Sequence, residues 1–393
     1  MPSKIIIALI LSCALLGGYA SVFTAYIHGF FDALKACVST ETRLSKFCPL
    51  DMSDPIFRKI TGYESIDSLI NLLLEFFSHG LRKDLYVKGI DLEALLAFVY
   101  LAAHFGGVWY LIALEGLRVG NRGTILGWTG TFGIVFQYVT VTVIAPIYLT
   151  LQLLLSPSTP QQALLVVDPS DLNSLPISTV ISYVLPSIGL CLPLIFDISR
   201  ESKFIAVALW QPFPLYQAAI QQVVRLAFSS GRGNDNDTAH THIEQCSKAL
   251  KRAYTFIATL IMGIHLSVMA TILASSRGLV ASVSGHHILA LTSLTDPPTL
   301  ALLDPPVSAM QSREIVVAFL RWDVYCACLS MTIWSGYQLY SAQKAPSLVR
   351  IIFKSAGWAL LGGPVFPAVM LLWERDEMIL NPLEFPTLSQ KHE

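Results

Sequence analysis

Charged residues are scarce in this chain. Only 13% of its 393 residues are Asp, Glu, Lys or Arg, and 53% are hydrophobic, whereas about 25% charged residues is usual in soluble domains. The 26 basic and 27 acidic residues nearly cancel, so the net charge is −1. Nothing in this balance indicates a nucleic-acid-binding surface. The composition therefore indicates a membrane protein.

The motifs of several enzyme classes are also absent. The sequence has no glycine-rich phosphate loop, no HExxH zinc pair, no GxSxG nucleophile elbow and no Cys and His cluster with metal-ligand spacing. It also lacks an Asp-rich magnesium motif, so nothing in it is suited to ionising a diphosphate. The sequence predicts neither a metal ion nor another cofactor.

Cysteines are few and badly spaced for a disulfide scaffold. Cys326 and Cys328 lie inside an apolar run and lack metal-ligand spacing. Cys37 and Cys48 either form a disulfide in a lumenal loop or stay free buried thiols.

Long hydrophobic runs, by contrast, are abundant. A helix needs about 20 apolar residues to cross a bilayer. The stretches that meet this length are 5–27, 92–114, 125–155, 177–197, 253–275, 315–341 and 351–373. Residues 125–155 are expected to tilt or to break near Pro146. Residues 204–228, with two prolines and four glutamines, either cross the membrane or lie on its surface.

These runs predict an all-α fold, a polytopic transmembrane helical bundle of seven to eight spans. One or two interfacial helices are expected beside it, the first at residues 66–80, which are too short to span. Residues 1–373 form a single membrane domain, and 374–393 a polar C-terminal tail. The first run is expected to be a retained signal anchor, with cleavage as the alternative. The endoplasmic reticulum is the expected membrane.

Asp323 is the first candidate for chemistry, because it lies about nine residues inside a predicted span. A charge at that depth costs a few kcal/mol, which makes such a residue a functional candidate. Asp323 either pairs with Arg321 or Tyr325 and joins two helices, or is a desolvated carboxylic acid able to donate a proton. In the second case Trp322 and Tyr325 would bind substrate and stabilise a cation.

Glu115 is the second candidate, at the end of the apolar run 92–114. It either forms an i, i+3 ion pair with Arg118 or completes an acid/base pair with Asp323. The same run contains His104, Trp109 and Tyr110, which are candidates for binding substrate. For His104, the simpler alternative is a hydrogen-bonded interior histidine.

Three further acidic residues are weaker catalytic candidates. Asp67 and Glu64 lie at the start of the short predicted helix, where Asp67 would also serve as a capping residue. Asp197 marks the end of a predicted span.

Three stretches carry a family resemblance. GYESIDSLINLLLEFFSHG (62–80), ALEGLRVGNRG (113–123) and ALWQPFPLY (208–216) resemble stretches of fungal integral-membrane terpene cyclases. These are the cyclases of meroterpenoids of the ascochlorin, ascofuranone and macrophorin type. The residues to which the resemblance extends are Glu64, Asp67, Glu115, Arg118 and Asn121.

The resemblance implies a membrane-bound terpene cyclase of fungal meroterpenoid biosynthesis. An acid would protonate a terminal epoxide or alkene of a farnesylated substrate, and a cation cascade would follow without a metal. The expected partners are this lipophilic prenylated molecule and the lipid bilayer. The alternative is a multi-pass small-molecule transporter or exporter, which broken helices at mid-membrane would favour. A single aromatic cavity containing both Asp323 and Glu115 would favour the cyclase.

Overall fold

The computed structural model describes residues 3–27, 29–38, 61–82, 89–157, 161–229, 239–289, 309–343 and 347–380. Every regular element in these ranges is helical, which confirms the all-α class. The helices are α1 (Lys4–Ile27), α2 (Phe30–Val38), α3 (Glu64–Gly80), α4 (Leu92–Gly116), α5 (Thr129–Val139), α6 (Val141–Leu155), α7 (the helical segment Gln162–Ile195), α8 (Arg200–Trp210), α9 (Phe213–Ser229), α10 (Ala239–Ser276), α11 (Gly285–Leu289), α12 (Ala309–Ala342), α13 (Leu348–Gly362) and α14 (Phe366–Leu380).

Five helices of the described chain are long and apolar enough to cross a membrane, fewer than the seven to eight predicted. They lie in α1, α4, α7, α10 and α12. The other predicted spans are divided into shorter helices.

Two of these divisions lie at residues with a positive φ. The run 125–155 breaks at Thr140, whose φ of 89° ends the hydrogen-bond ladder of α5, and not near Pro146, which α6 contains. The run 351–373 is divided at Gly363, whose φ is 81°. The ambiguous run 204–228 forms two helices, α8 and α9, of 11 and 17 residues.

The C-terminal helix extends beyond the predicted end of the membrane domain. α14 continues from residue 373 to Leu380, and its Arg375 and Asp376 are buried. Residues 374–380 are therefore part of the folded domain and not of a polar tail. Residues 381–393, the rest of that predicted tail, lie outside the described residues, as does Cys48.

Helix α4 lies at the centre of the bundle. Asp91 caps its first turn by accepting a hydrogen bond from the Ala94 amide at 3.1 Å. From Gly106 to Gly116 every residue of α4 is buried. Helix α10 packs against α4 and α7, α9 packs against α7, and α1 and α14 pack against α12. The short helix α3 packs against α12 as well, and its interfacial position stays a prediction.

Candidate active site

A cavity of about 340 Å³ lies between α3, α4, the end of α5 and α12. Its size is typical of small-molecule sites, which run from about 300 to 1,000 Å³. Most of its lining is apolar, and much of that is aromatic. The aromatic lining residues are Phe31, Phe76, Phe77, Phe98, Phe105, Phe136, Tyr138, Tyr183, Trp210 and Phe319.

Helix α3 supplies one wall through a periodic face. Leu69, Leu72, Leu73, Phe76, Phe77 and Gly80 line the cavity. Their spacing repeats at three and four residues, which puts them on one side of a helix. This spacing was readable in the sequence, but the sequence did not indicate what the face encloses.

Asp323 provides the only carboxyl group among the described residues that line the cavity. It lies on α12, is 6% exposed, and its Oδ1 accepts a hydrogen bond from the Thr142 backbone amide at 2.8 Å. Thr142 lies in the first turn of α6, where unpaired amides and the helix dipole favour a negative charge. Asp323 is therefore held by a helix N-terminus and not by the predicted Arg321 or Tyr325.

Thr140 shapes this contact through an unusual backbone. With φ 89° and ψ 147° it is the only non-glycine residue of the described chain with a positive φ. This region is essentially restricted to glycine, and such outliers cost about 1–3 kcal/mol and cluster at functional sites. Gln137 and Thr140 line the cavity beside Asp323. No pattern in the sequence indicated this break.

Glu115 lies outside the cavity, in a buried ion-pair network. Its Oε1 accepts hydrogen bonds from Arg118 Nε at 2.7 Å and from Arg375 Nη2 at 2.9 Å. Arg118 also donates to Asp376 at 2.7 Å, as does the Tyr254 hydroxyl. The ion pair with Arg118 that the sequence allowed is present, and the structure does not bring Glu115 and Asp323 into one cavity.

The charges of this network raise the pKa of the Arg118 guanidinium. Burial lowers the pKa of Arg118, but the charges of Asp376 and Glu115 outweigh it, so its pKa lies well above the ordinary value. Arg118 stays charged, and the network holds two positive and two negative groups. Arg375 and Asp376 were missed because the sequence places them in a polar tail.

Trp109 and Tyr110, two predicted substrate-binding residues on α4, do not line the cavity. Trp109 Nε1 donates to Gln217 Oε1 at 2.5 Å, and its ring packs edge-on against Phe136, which does line the cavity. The Tyr110 hydroxyl donates to the Ala253 carbonyl at 3.0 Å. Trp109 therefore supports the cavity wall through Phe136.

The other predicted substrate-binding residues, Trp322, Tyr325 and His104, contact other parts of the bundle. Trp322 packs with Ala20 and Cys326, and the Tyr325 hydroxyl donates to the Leu289 carbonyl at 2.9 Å. His104 is fully buried, with its ring 4.4 Å from that of Tyr100. None of these three predicted residues is among those lining the cavity.

The weaker acidic candidates are not among the residues that line the cavity. Asp67 is buried and accepts hydrogen bonds from the Thr61 amide and hydroxyl and from the Gly62 amide, at 2.6, 2.8 and 3.0 Å. It therefore ties the preceding chain to the first turn of α3. Glu64 and Asp197 are exposed.

One group of side chains in the described residues has the composition of a metal site. Ligand atoms of Cys37, Glu75 and His79 all lie within 4.8 Å of one another. However, Cys37 is disulfide-bonded, and a metal ligand must be a thiolate. These residues therefore do not fit a metal ion.

The chain is similar to known proteins over almost its whole length. Residues 5–380 match the CtvD domain family. Terpene cyclase ascI from Acremonium egyptiacum is 27% identical over 327 residues, which are 81% of this chain and 79% of that protein. Terpene cyclase ctvD from Aspergillus terreus is 26% identical over 94% of this chain and 98% of its own length. Terpene cyclase atmA from Aspergillus flavus is 23% identical over 91% and 93%.

No solved structure matches the chain. The resemblance to fungal meroterpenoid terpene cyclases is confirmed by the family match and by the names of these relatives. The chain belongs to the CtvD domain family.

Proposed function

We propose that the protein is a membrane-bound terpene cyclase of fungal secondary metabolism, with Asp323 as the acid that starts the reaction. The observation that carries this proposal is a single carboxyl group at the wall of an aromatic cavity, among the described lining residues. The relatives' name, terpene cyclase, supports the reaction class. Five membrane-length apolar helices support the location, for which we propose the endoplasmic reticulum.

The proposed chemistry is a proton transfer followed by ring closure. Asp323 gives its proton to the oxygen of a terminal epoxide, whose C–O bond breaks, or to a carbon of a terminal alkene. The next double bond attacks the cationic carbon and forms a C–C bond. The cation finally loses a proton from carbon, or is trapped by a hydroxyl of the substrate that releases its proton; in either case one proton returns the Asp323 carboxylate to its acid form. The product is an isomer of the substrate.

The lining of the cavity suits such an intermediate. Aromatic faces attract positive charge without acting as nucleophiles. Apolar walls also keep water away, and water would otherwise trap the cation before the ring closes. The carboxylate left on Asp323 faces the first turn of α6, where the Thr142 amide stabilises its charge.

The experiment is expression in a heterologous fungal host that lacks the enzyme, with a farnesylated phenol supplied with and without its terminal epoxide. We expect a cyclised product of unchanged mass from one of the two substrates, and none from Asp323→Asn. Asp32→Asn is a matched control, since Asp32 is exposed and pairs only loosely with Lys35 at 3.7 Å. Recovery of both substrates unchanged from cells with folded wild-type protein would contradict the proposal.

A small-molecule transporter is the second candidate, because α5 and α6, and α13 and α14, are pairs of short helices separated by breaks at Thr140 and Gly363. Many transporters bind their substrates at such discontinuous helices. The same substrates, offered to sealed vesicles that contain the protein, separate the two candidates. Uptake of unchanged substrate would favour transport.

A further inference from the structure

A second, smaller cavity lies against the first. Its volume is about 100 Å³, and it is lined by α4, α7 and α10. Apart from Thr179 and Ser187, its lining side chains are apolar or aromatic or belong to Cys191 and Gly106. It contains no acidic or basic side chain from the described residues, so it suits a hydrocarbon.

Three residues line both cavities, and they form a partition between them. They are Phe98 and Ala102 of α4 and Tyr183 of α7. Tyr183 is the largest of the three and is 4% exposed. Its ring packs against Phe213 with the centroids 4.8 Å apart. Removing this ring would join the two cavities.

The position of the Tyr183 ring is fixed by two contacts with α4. Its hydroxyl donates a hydrogen bond to the Ala102 carbonyl at 2.6 Å. On α4, the ring lies directly on Gly106, and a Cβ at that position would overlap Tyr183 Cε1. The close approach therefore requires glycine at 106, as expected where a side chain packs against helix backbone.

The local helix is irregular at this residue. Val180–Val184 is a single π-helical turn inside α7. Such turns are rare and occur frequently at functional sites, because the additional residue redirects the side chains that follow. Here the irregular turn contains the residue that separates the cavities.

We propose that the second cavity provides the space that a substrate with one additional isoprene unit requires, and that Tyr183 limits the length of the prenyl chain that the enzyme accepts. This inference depends on the proposed function. With the terminal epoxide or alkene of the substrate at Asp323, the end of the molecule that carries the phenol extends along the first cavity toward the Tyr183 ring. An additional isoprene unit moves that end outward by one unit, so the longer molecule needs the space behind the ring.

The test compares a farnesylated with a geranylgeranylated phenol, each with the initiating group that the wild type uses. Tyr183→Ala is expected to raise the ratio of long-chain to short-chain conversion by about tenfold or more, the size of effect seen when apolar pockets discriminate by chain length. Tyr183→Leu is a second variant that keeps more of the packing and is expected to shift the ratio in the same direction.

Two further variants test whether the volume of the Tyr183 ring, and not its hydrogen bond, determines the conversion ratio. Tyr183→Phe loses the hydrogen bond but keeps the ring, so its ratio should equal that of the wild type. Ala103 lines only the second cavity. Adding Ala103→Leu to Tyr183→Ala fills that cavity and should reverse the gain.

The outcomes distinguish this inference from the proposed function. If the wild type cyclises the farnesylated substrate and neither Tyr183→Ala nor Tyr183→Leu changes the ratio, the inference is overturned and the cyclase stands. A ratio that rises equally in Tyr183→Phe would also overturn it. If folded wild-type protein cyclises neither substrate, the proposed function itself fails.

Discussion

Replacing Glu115 by Gln tests whether this buried carboxylate stabilises the fold or takes part in the chemistry. Glu115 is 1% exposed and accepts hydrogen bonds from Arg118 and Arg375, which are equally buried. The substitution keeps the side-chain shape but removes one of two negative charges that balance two guanidinium groups. It thereby leaves an uncompensated positive charge inside the protein.

The loss of stability expected for Glu115→Gln follows from the burial of the charged side chains around it. Removing one partner of a buried ion pair costs about 3–5 kcal/mol, chiefly because the remaining charge is left without solvent or counter-charge. Native proteins are stable by only about 5–15 kcal/mol. Glu115→Gln is therefore expected to lower the unfolding temperature strongly and to reduce the amount of protein in the membrane.

The assay is thermal unfolding of detergent-solubilised protein, followed by tryptophan fluorescence, together with cyclisation per folded molecule. Glu314→Gln is the control, because Glu314 is exposed on α12 and should change stability by no more than about 0.5 kcal/mol. Adding Arg375→Gln to Glu115→Gln restores the charge balance and should recover part of the lost stability. Wild-type stability of Glu115→Gln combined with complete loss of product would refute this reasoning and make Glu115 a chemical participant.

Three further predictions concern the backbone and the buried charges. Gly363→Ala should lower the unfolding temperature, since an alanine Cβ would overlap His104 and the φ of 81° disfavours it; unchanged stability would contradict the close packing. Thr140→Gly should raise the unfolding temperature, because glycine adopts this backbone without a strain of about 1–3 kcal/mol; a lower temperature would contradict the assigned strain. Burial raises the pKa of Asp376, but the charge of Arg118 outweighs it and the pKa is lowered. The stability that Asp376 contributes is therefore present above about pH 4 and is lost as the pH falls through the folded-state pKa. Acid unfolding of the wild type, with Asp376→Asn as the reference, measures this loss.

The sequence predicted those features of the fold and the site that depend on residues close together in the chain. Low charge and long apolar runs predicted an all-helical protein, and the spacing of Glu115 and Arg118 predicted an ion pair. Asp323 was singled out because a carboxylate inside an apolar run is costly. Each of these inferences uses residues within a few turns of one helix.

The missed features depend on distant parts of the chain. Thr142 is 181 residues away from Asp323, and Arg375 is 260 away from Glu115. Pro146 suggested a break, yet α6 contains it in its second turn, although a proline at that position removes one backbone hydrogen bond.

The cavity itself was the hardest feature to predict. Its walls come from helices separated by hundreds of residues, and the aromatic residues nearest to Asp323 and Glu115 in sequence point away from it. Trp322 and Tyr325 flank Asp323 along the chain but lie on other faces of α12, since successive helical residues are about 100° apart. The aromatic residues that do line the cavity are spread over seven helices, and α3, α4 and α5 supply two each.

The most direct measurement is the rate of product formation per folded molecule by Asp323→Asn, in membranes supplied with the farnesylated phenol that the wild type cyclises. Removing a general acid typically costs about 10²–10⁴-fold in rate, and we expect a loss of that size with an unfolding temperature close to that of the wild type. Wild-type turnover by folded Asp323→Asn would contradict the central claim that this carboxyl group starts the reaction.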